Sequence, residues 1–349
     1  MSNNFKFKKI FKYFFLSLLS FLIIFCIIYY KTVAYAITQG YGQVRLLCKS
    51  VHISSVLKDT AIPDSVKRKI LLIQTIRKFA IDSIGLKNSK SYYSYYDQKG
   101  KPILWLVTAS EPFHIRAFEW EFPIVGNFAY KGYFKHENAI KEENRLKQLG
   151  FDTEIDEVAA WSTLGILGDP ILSSMLRRSE GSLANLIIHE LTHSTIYIKN
   201  NNTFNENLAS FIGEKGAIYF LENKYGKKTP QVIEYMNSLI DYQLYTQHLI
   251  RGTHQLNSFY DSISNFDKIK KTELKTQFIQ RIVQSIDTIS FQSASFKKRK
   301  AFKNLPNNAF FSGYLTYRKQ QTDLDSIFIH PCKSNLPSFL QYIIKKYNN

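Results

Sequence analysis

Two histidines and a glutamate fall within five residues of this chain. His189, Glu190 and His193 stand in the run Asn185-Leu186-Ile187-Ile188-His189-Glu190-Leu191-Thr192-His193. At i and i+4 two imidazoles lie on one face of a helix, near enough to grip one zinc ion. Glu190, directly after the first histidine, sits where a carboxylate can hold and deprotonate a zinc-bound water. Further on, Phe204-Asn205-Glu206-Asn207-Leu208-Ala209 opens a second stretch with helical spacing, and Glu206 is placed to supply a third protein ligand. A fourth position left open separates a catalytic zinc from a structural one. The chemistry implied is metal-assisted hydrolysis at one Zn2+, held by His189, His193 and Glu206, with Glu190 as the base.

The spacing alone is common enough to arise on an ordinary helix with two surface histidines. The flanks argue otherwise. Leu183 to Ile188 and Leu191 to Ile198 carry no acid, lysine or arginine, and a dry helix suits a zinc site better than a solvated one. No proline or glycine interrupts Ser182 to Lys199, and Ser182 after Gly181 reads as an N-cap. A polar turn, Asn200-Asn201-Asn202-Thr203, then leads to the helix carrying Glu206. A loop of that size closes an antiparallel helix pair. Lys199 stands where a third histidine would indicate a metzincin.

HExxH with a downstream NExxA resembles the gluzincin peptidases. Several further stretches follow one another in order: Gly42-Gln43-Val44-Arg45-Leu46-Leu47, Tyr130-Lys131-Gly132-Tyr133-Phe134, Trp161-Ser162-Thr163-Leu164-Gly165 and Asp169-Pro170-Ile171-Leu172-Ser173. With the zinc motifs they resemble a family of predicted bacterial aminopeptidases that carry an N-terminal membrane anchor or lipid signal. The likeness runs from about Gln39 to the Asn307-Asn308-Ala309 region. It implies zinc-dependent peptide hydrolysis at the outer face of the membrane. A zinc endopeptidase of the cell envelope and a non-catalytic envelope protein that keeps the zinc site are the rival readings.

Zinc peptidases often add a tyrosine or histidine that donates to the oxyanion; Tyr133 and Tyr314 are the candidates here. Related gluzincins often carry an acid one turn after the glutamate ligand, which orients the first histidine. Ser210 occupies that place, so Glu214 or a backbone carbonyl is left for the task, and Asn205 could serve His193. An aminopeptidase also needs an acid for the substrate's free amine, with Glu119, Glu121 and Asp169 as candidates. Ser162 to Leu167 could be an edge strand that pairs with the peptide backbone.

The rest of the chain must position these groups. Tyr13 to Tyr30 carries no charge and is bounded by Lys12 and Lys31. Its length is within the range of a membrane-spanning helix. Lys6, Lys8, Lys9 and Lys12 precede it, which predicts a cytoplasmic tail over 1–12, a signal anchor over 13–30 and an exported domain over 31–349. This places the chain in a bacterial inner membrane with its catalytic domain periplasmic or extracellular. Cleavage after Ala34-Tyr35-Ala36 is the alternative; bulky Phe25 before Cys26 argues against lipidation. The net charge of +18 includes eight basic residues and no acid before Asp59. The remaining lysines scatter without a stripe or nucleic-acid motif, so an anionic membrane surface is the simpler partner beside a peptide substrate. Cys48 and Cys332 are far apart in sequence, no CxxC exists, and a cysteine zinc site is excluded.

Periodicity predicts a helix from Pro63 to about Ile84 and a hairpin of Tyr92–Tyr96 and Ile103–Thr108 around Asp97-Gln98-Lys99-Gly100. Strands follow over Ala117–Val125 and Glu154–Ala160, flanking a surface helix over His136–Leu149. After Glu206 the pattern is helical over Asn205–Tyr225, Gln231–Arg251, Lys268–Ile289 and Pro337–Tyr347. The expected fold is α+β and predominantly helical: a gluzincin-like core with a small sheet over 86–180, catalytic helices over 182–221 and a helical part over 222–349.

Overall fold

A computed structural model describes residues 2–122, 126–158, 163, 167–199, 201–299, 302–316 and 321–347. It begins with two successive helices, α1 (Ser2–Ile28) and α2 (Tyr30–Lys49), parted only at Tyr29. Within α1, Ile10–Ile28 is long and apolar enough to cross a membrane, and none of it is buried against the rest of the chain. The apolar helix therefore ends two residues before Tyr30. α2 instead packs on the folded body. Tyr35 Oη and Gln39 Nε2 both donate to the Gly132 carbonyl, at 2.8 and 2.6 Å. A Cβ on Gly42 would lie 2.3 Å from the Phe134 ring, so only glycine lets α2 sit this close. Cleavage after Ala36 would cut through this docked helix.

The body opens with β1 (Val51–His52), α3 (Ile53–Lys58) and α4 (Asp64–Phe79). Ile70, Ile73 and Ile76 recur at helical spacing and are fully buried on α4. A π-helical turn over Ala80–Ile84 ends it, closed by Gly85 at φ 91°. Next come β2 (Ser94–Tyr96), β3 (Trp105–Ser110), β4 (Trp120–Phe122), β5 (Gly126–Phe128), β6 (Tyr130–Tyr133), α5 (His136–Gln148), β7 (Asp152–Glu157) and β8 (Ile171–Leu172). Helices complete the chain: α6 (Glu180–Thr195), α7 (Asn202–Tyr225), α8 (Pro230–Ser262), α9 (Lys268–Gln284), α10 (Ala294–Lys297), α11 (Asn308–Thr316), α12 (Gln321–Ile329) and α13 (Leu336–Tyr347). The protein is thus mostly helical with small sheets.

Strand pairing departs from the sequence reading. The Asp97–Gly100 turn forms, with Lys99 and Gly100 at positive φ and Lys99 N donating to Asp97 Oδ1. Yet its flanking strands do not pair with each other. β2 lies between β1 and β8, antiparallel to the first and parallel to the second. β3 is the centre of another antiparallel sheet, between β6 and β7. The expected strand over Ala117–Val125 shrinks to β4, which pairs with β5; residues 123–125 lie outside the described residues. So do residues 159 and 160 of the expected Glu154–Ala160 strand.

Three apolar clusters form. The largest gathers α4, α6, α7 and α13 around residues such as Ile76, Ile187, Ile212 and Phe339. A second joins α8, α9 and α11. The third lies between β3 and α5, through Val107, Ala139 and Leu146. A buried ion pair of Lys275 with Asp152 ties α9 to β7, and Asp152 also accepts from Asn308 N on α11. Such a pair loses several kcal/mol when one partner is removed, because the other charge stays buried.

β7 carries an acid out of place for a stable strand. Glu154, paired with Thr108 across the ladder, is raised from its usual 4.5 to about 7, first by burial and then by Asp156. A folded-state pKa above the unfolded one favours the neutral acid. The associated stability is full below about pH 4.5 and is lost as pH rises through about 7. Glu154→Gln is expected to raise stability by about 1–2 kcal/mol at pH 8 and to leave it unchanged at pH 4.5. Thermal melts across that range check this; equal shifts at both pH values would refute it.

Candidate metal centre

α6 begins earlier than its sequence suggested. Ser179, not Ser182, is the N-cap; its side chain accepts from Ser182 N, and Gly181 lies inside the helix. The helix ends at Thr195, not Lys199, where Thr195 Oγ1 accepts from Lys87 N at 2.9 Å. α7 returns antiparallel after a short connection. Asn201 caps it by accepting from Phe204 N. Asn205 grips the connection with both amide atoms: Oδ1 accepts from Ile198 N and Nδ2 donates to Ile198 O, at 2.9 and 2.8 Å. These local bonds fix the register of Glu206 against α6.

The register brings three donor atoms together. His193 Nε2 lies 3.2 Å from His189 Nε2, with the ring planes at 83°. Glu206 reaches both imidazoles, Oε2 at 3.5 Å from His189 Nε2 and Oε1 at 3.4 Å from His193 Nε2. Four ligands set tetrahedrally at zinc–nitrogen distance stand about 3.3 Å apart. The observed triangle has that size, and two imidazoles with one carboxylate are the donor set of a catalytic zinc. Among the described residues these three form the one group of His, Cys, Asp and Glu able to hold a metal ion. The side chains of Glu206 and His189 keep 45 % and 20 % exposure against 3 % for His193, so the triad opens toward solvent on the Glu206 side. The two imidazoles, more than burial, hold the Glu206 carboxyl far below the usual carboxylate range.

A family model described as "putative aminopeptidase" matches residues 34–347. The chain belongs to that family. Membership supports peptidase chemistry and a peptide substrate in general. Neither the curated proteins nor the solved structures offer a match.

Around the family's candidate site the other expected residues scatter. Glu190 turns one oxygen, Oε2, into the interior with no hydrogen-bond partner. Asn205 is committed to Ile198 and does not serve His193, whose Nδ1 is buried without a partner. Ser210 makes no hydrogen bond to either ring. Glu214 lines a cleft beside Tyr235. Tyr133 packs into the β3–α5 cluster edge-on to Tyr35, and burial together with Glu142 raises its hydroxyl pKa. Tyr314 borders the α8–α11 cluster near Tyr245 and Tyr242. Asp169 accepts from both Thr163 N and Thr163 Oγ1 and is thus occupied in a turn, while Glu119 accepts from Asn127. Glu121 faces Asn127 across the β4–β5 hairpin. In the expected edge strand, residues 162 and 164–166 lie outside the described residues. So do residues 161, 164 and 165 of the Trp161–Gly165 motif and Asn200 of the interhelical turn.

Two tyrosines that the sequence did not single out lie near enough to feel the acids of the centre. Tyr130, at the start of β6, has its hydroxyl pKa raised by burial and by the Glu206 charge. Tyr92 is buried and pushed well up by burial, with Glu190 the largest charge acting on it. Its backbone is left-handed at φ 68°, unusual for a bulky residue. Gln74 Nε2 donates to its carbonyl and its N–H donates to the Asp169 carbonyl, each at 2.7 Å. Nothing in the run Ser91-Tyr92-Tyr93-Ser94-Tyr95-Tyr96 distinguishes the one that meets Glu190.

Proposed function

We propose that this chain is a zinc-dependent aminopeptidase acting at the outer face of a bacterial cytoplasmic membrane. The observation that carries the reading is the triangle of His189, His193 and Glu206, with edges of 3.2, 3.5 and 3.4 Å. A zinc ion held there would polarise the scissile carbonyl and stabilise its developing negative charge.

The chain's own residues do the rest. Glu190 receives the proton of the attacking water and passes it to the departing amine. Its interior oxygen has no hydrogen-bond partner. Tyr92, protonated throughout the physiological range, lies near enough to feel the Glu190 charge. Tyr130, whose hydroxyl feels the Glu206 charge, is the candidate, rather than Tyr133 or Tyr314, to donate to the carbonyl oxygen. α1 anchors the chain, with its lysine-rich start in the cytoplasm.

Metal analysis of the full-length chain in detergent tests the reading. About one zinc per chain is expected, with hydrolysis of free peptides lost to a chelator and restored by zinc. A metal-free protein that still cleaves peptides would overturn it. Peptides with an acetylated N-terminus separate exopeptidase from endopeptidase action, since an aminopeptidase leaves them intact.

A further inference from the structure

α2 fixes the height of the folded body along the candidate membrane span. Tyr29 N donates to Phe25 O and Val33 N to Tyr29 O, each at 2.9 Å, so helical bonding runs on from α1 into α2. The Gly132 carbonyl is held between Tyr35 and Gln39, and Phe134 lies against Gly42. β6 therefore runs beside α2 in the same direction, away from Ile28. The point midway between Tyr35 and Gln39 is about 14 Å from Ile28 along the helix axis. Two strand residues cover about 7 Å, so Tyr130, two before Gly132, stands about 7 Å from the end of the apolar stretch. Tyr130 pairs with Thr108, and Thr108 with Glu154; two residues further along β3, Ser110 pairs with Asp152. That last row is level with Ile28.

The surface beyond this row is apolar and basic. β3 leads on through Glu111 and Pro112 to Phe113, and α5 hands over to β7 through Leu149. Lys275 on α9 ties this end to the row, pairing with Asp152 and donating to the Pro112 carbonyl at 2.8 Å. A turn earlier on α9, Lys271 Nζ lies 5.8 Å from the centre of the Phe113 ring. A groove of about 500 Å³ joins Phe113 and Leu149 to Lys268 and Lys271. Phe266 and Ile269 flank Lys268 in the chain. Leu149, Phe266 and Ile269 are 61, 50 and 84 % exposed, and no other large apolar side chain among the described residues is as open as Ile269. The acids nearby are engaged: Glu111 with Arg116, Glu273 with Lys270, and Asp267 as the cap of α9. Open apolar side chains among lysines suit a bilayer interface, where the stems enter the headgroup zone and the ammonium groups meet lipid phosphates.

We infer that Leu149, Phe266 and Ile269, with Lys268 and Lys271, form a second membrane contact that seats this end of the sheet among anionic headgroups. The inference rests on α1 spanning the same bilayer. The candidate metal centre, whose Glu206 charge reaches Tyr130 one row higher, would then work just above the headgroups.

Nitroxide labels on the full-length chain test it, in vesicles of phosphatidylethanolamine and phosphatidylglycerol. Cys26 and Cys48 are exposed and are first replaced by serine, whereas Cys332 is buried. Single cysteines are then placed at Ser17 within α1, at Ile269, and at exposed Lys101, which precedes β3 at the opposite end of the sheet. Collision with a water-soluble nickel chelate reads the access of each label to water. The Ser17 label is expected to be shielded and the Lys101 label open, with the Ile269 label struck about threefold less often than Lys101 or rarer still. Lys268→Glu with Lys271→Glu, or vesicles of phosphatidylcholine alone, should remove most of the protection at Ile269 and leave Ser17 unchanged. An Ile269 label as open as Lys101 beside a shielded Ser17 overturns the contact and leaves the anchor standing. Protection at Ile269 that ignores both the lysines and the lipid charge overturns the assignment to anionic headgroups. An open Ser17 label overturns the anchor, and the second contact falls with it.

Discussion

Glu190→Gln is expected to lower kcat by about 10³-fold or more while leaving about one zinc per chain. Glutamine keeps the size and shape of the side chain but cannot take a proton. On the proposed reading His189, His193 and Glu206 would hold the metal without help from Glu190, so metal content and activity should separate. Metal analysis and single-turnover peptide hydrolysis on the same sample read both quantities. Turnover within tenfold of the parent would remove Glu190 from the role of base. Loss of the metal would show instead that Glu190 holds the site together.

Gly213→Ala is expected to destabilise the protein by about 1–3 kcal/mol and to weaken metal retention at least tenfold. On helix propensity alone the change should help by about 1 kcal/mol. Packing reverses the sign. A Cβ at Gly213 would lie 2.4 Å from Asn185 Oδ1, 2.9 Å from the Asn185 carbonyl and 3.2 Å from His189 Cβ. The amide end can swing away, but the carbonyl and the Cβ belong to α6 itself. α7 must back off, and Glu206 moves with it, eroding contacts of 3.4 and 3.5 Å with the imidazoles. Gly313→Ala is the control: α11 has open space there, with nothing within 4 Å. Chemical denaturation and competition with a chelator measure both effects. If Gly213→Ala behaves like Gly313→Ala, the close seating of α6 on α7 does not set the metal geometry.

The candidate metal donors were legible because two of them share one helix at a spacing fixed by 3.6 residues per turn, and the third follows a short polar turn. Their neighbours were not, because they arrive from afar. Tyr92, which feels the Glu190 charge, is itself left-handed, and left-handed tyrosines have no sequence signature. Tyr130 and Tyr133 share one strand, and only the fold decides which end of it meets Glu206. The importance of Gly213 depends on where α6 crosses α7. The β2–β3 hairpin was misjudged for the same reason. Its turn has the right local chemistry, but Tyr95 pairs with Val51 and Ile171, partners that no local pattern can select. α8 proved longer than its periodicity suggested, because Gly252 inside it is tolerated against Ile282 rather than ending the helix.

α2 gives the proposed anchor a mechanical meaning. Twenty residues of helix span about 30 Å. They are pinned to Gly132, on the strand that carries Tyr130, and to Phe134 just beyond it. A loose tether would let the domain roll and sweep a wide volume above the lipid headgroups. If α1 crosses a bilayer as proposed, a docked strut would instead hold the candidate metal centre at a set height and tilt over it. Polypeptide ends presented at that height would be trimmed, and those carried nearer to the lipid or farther from it would be spared.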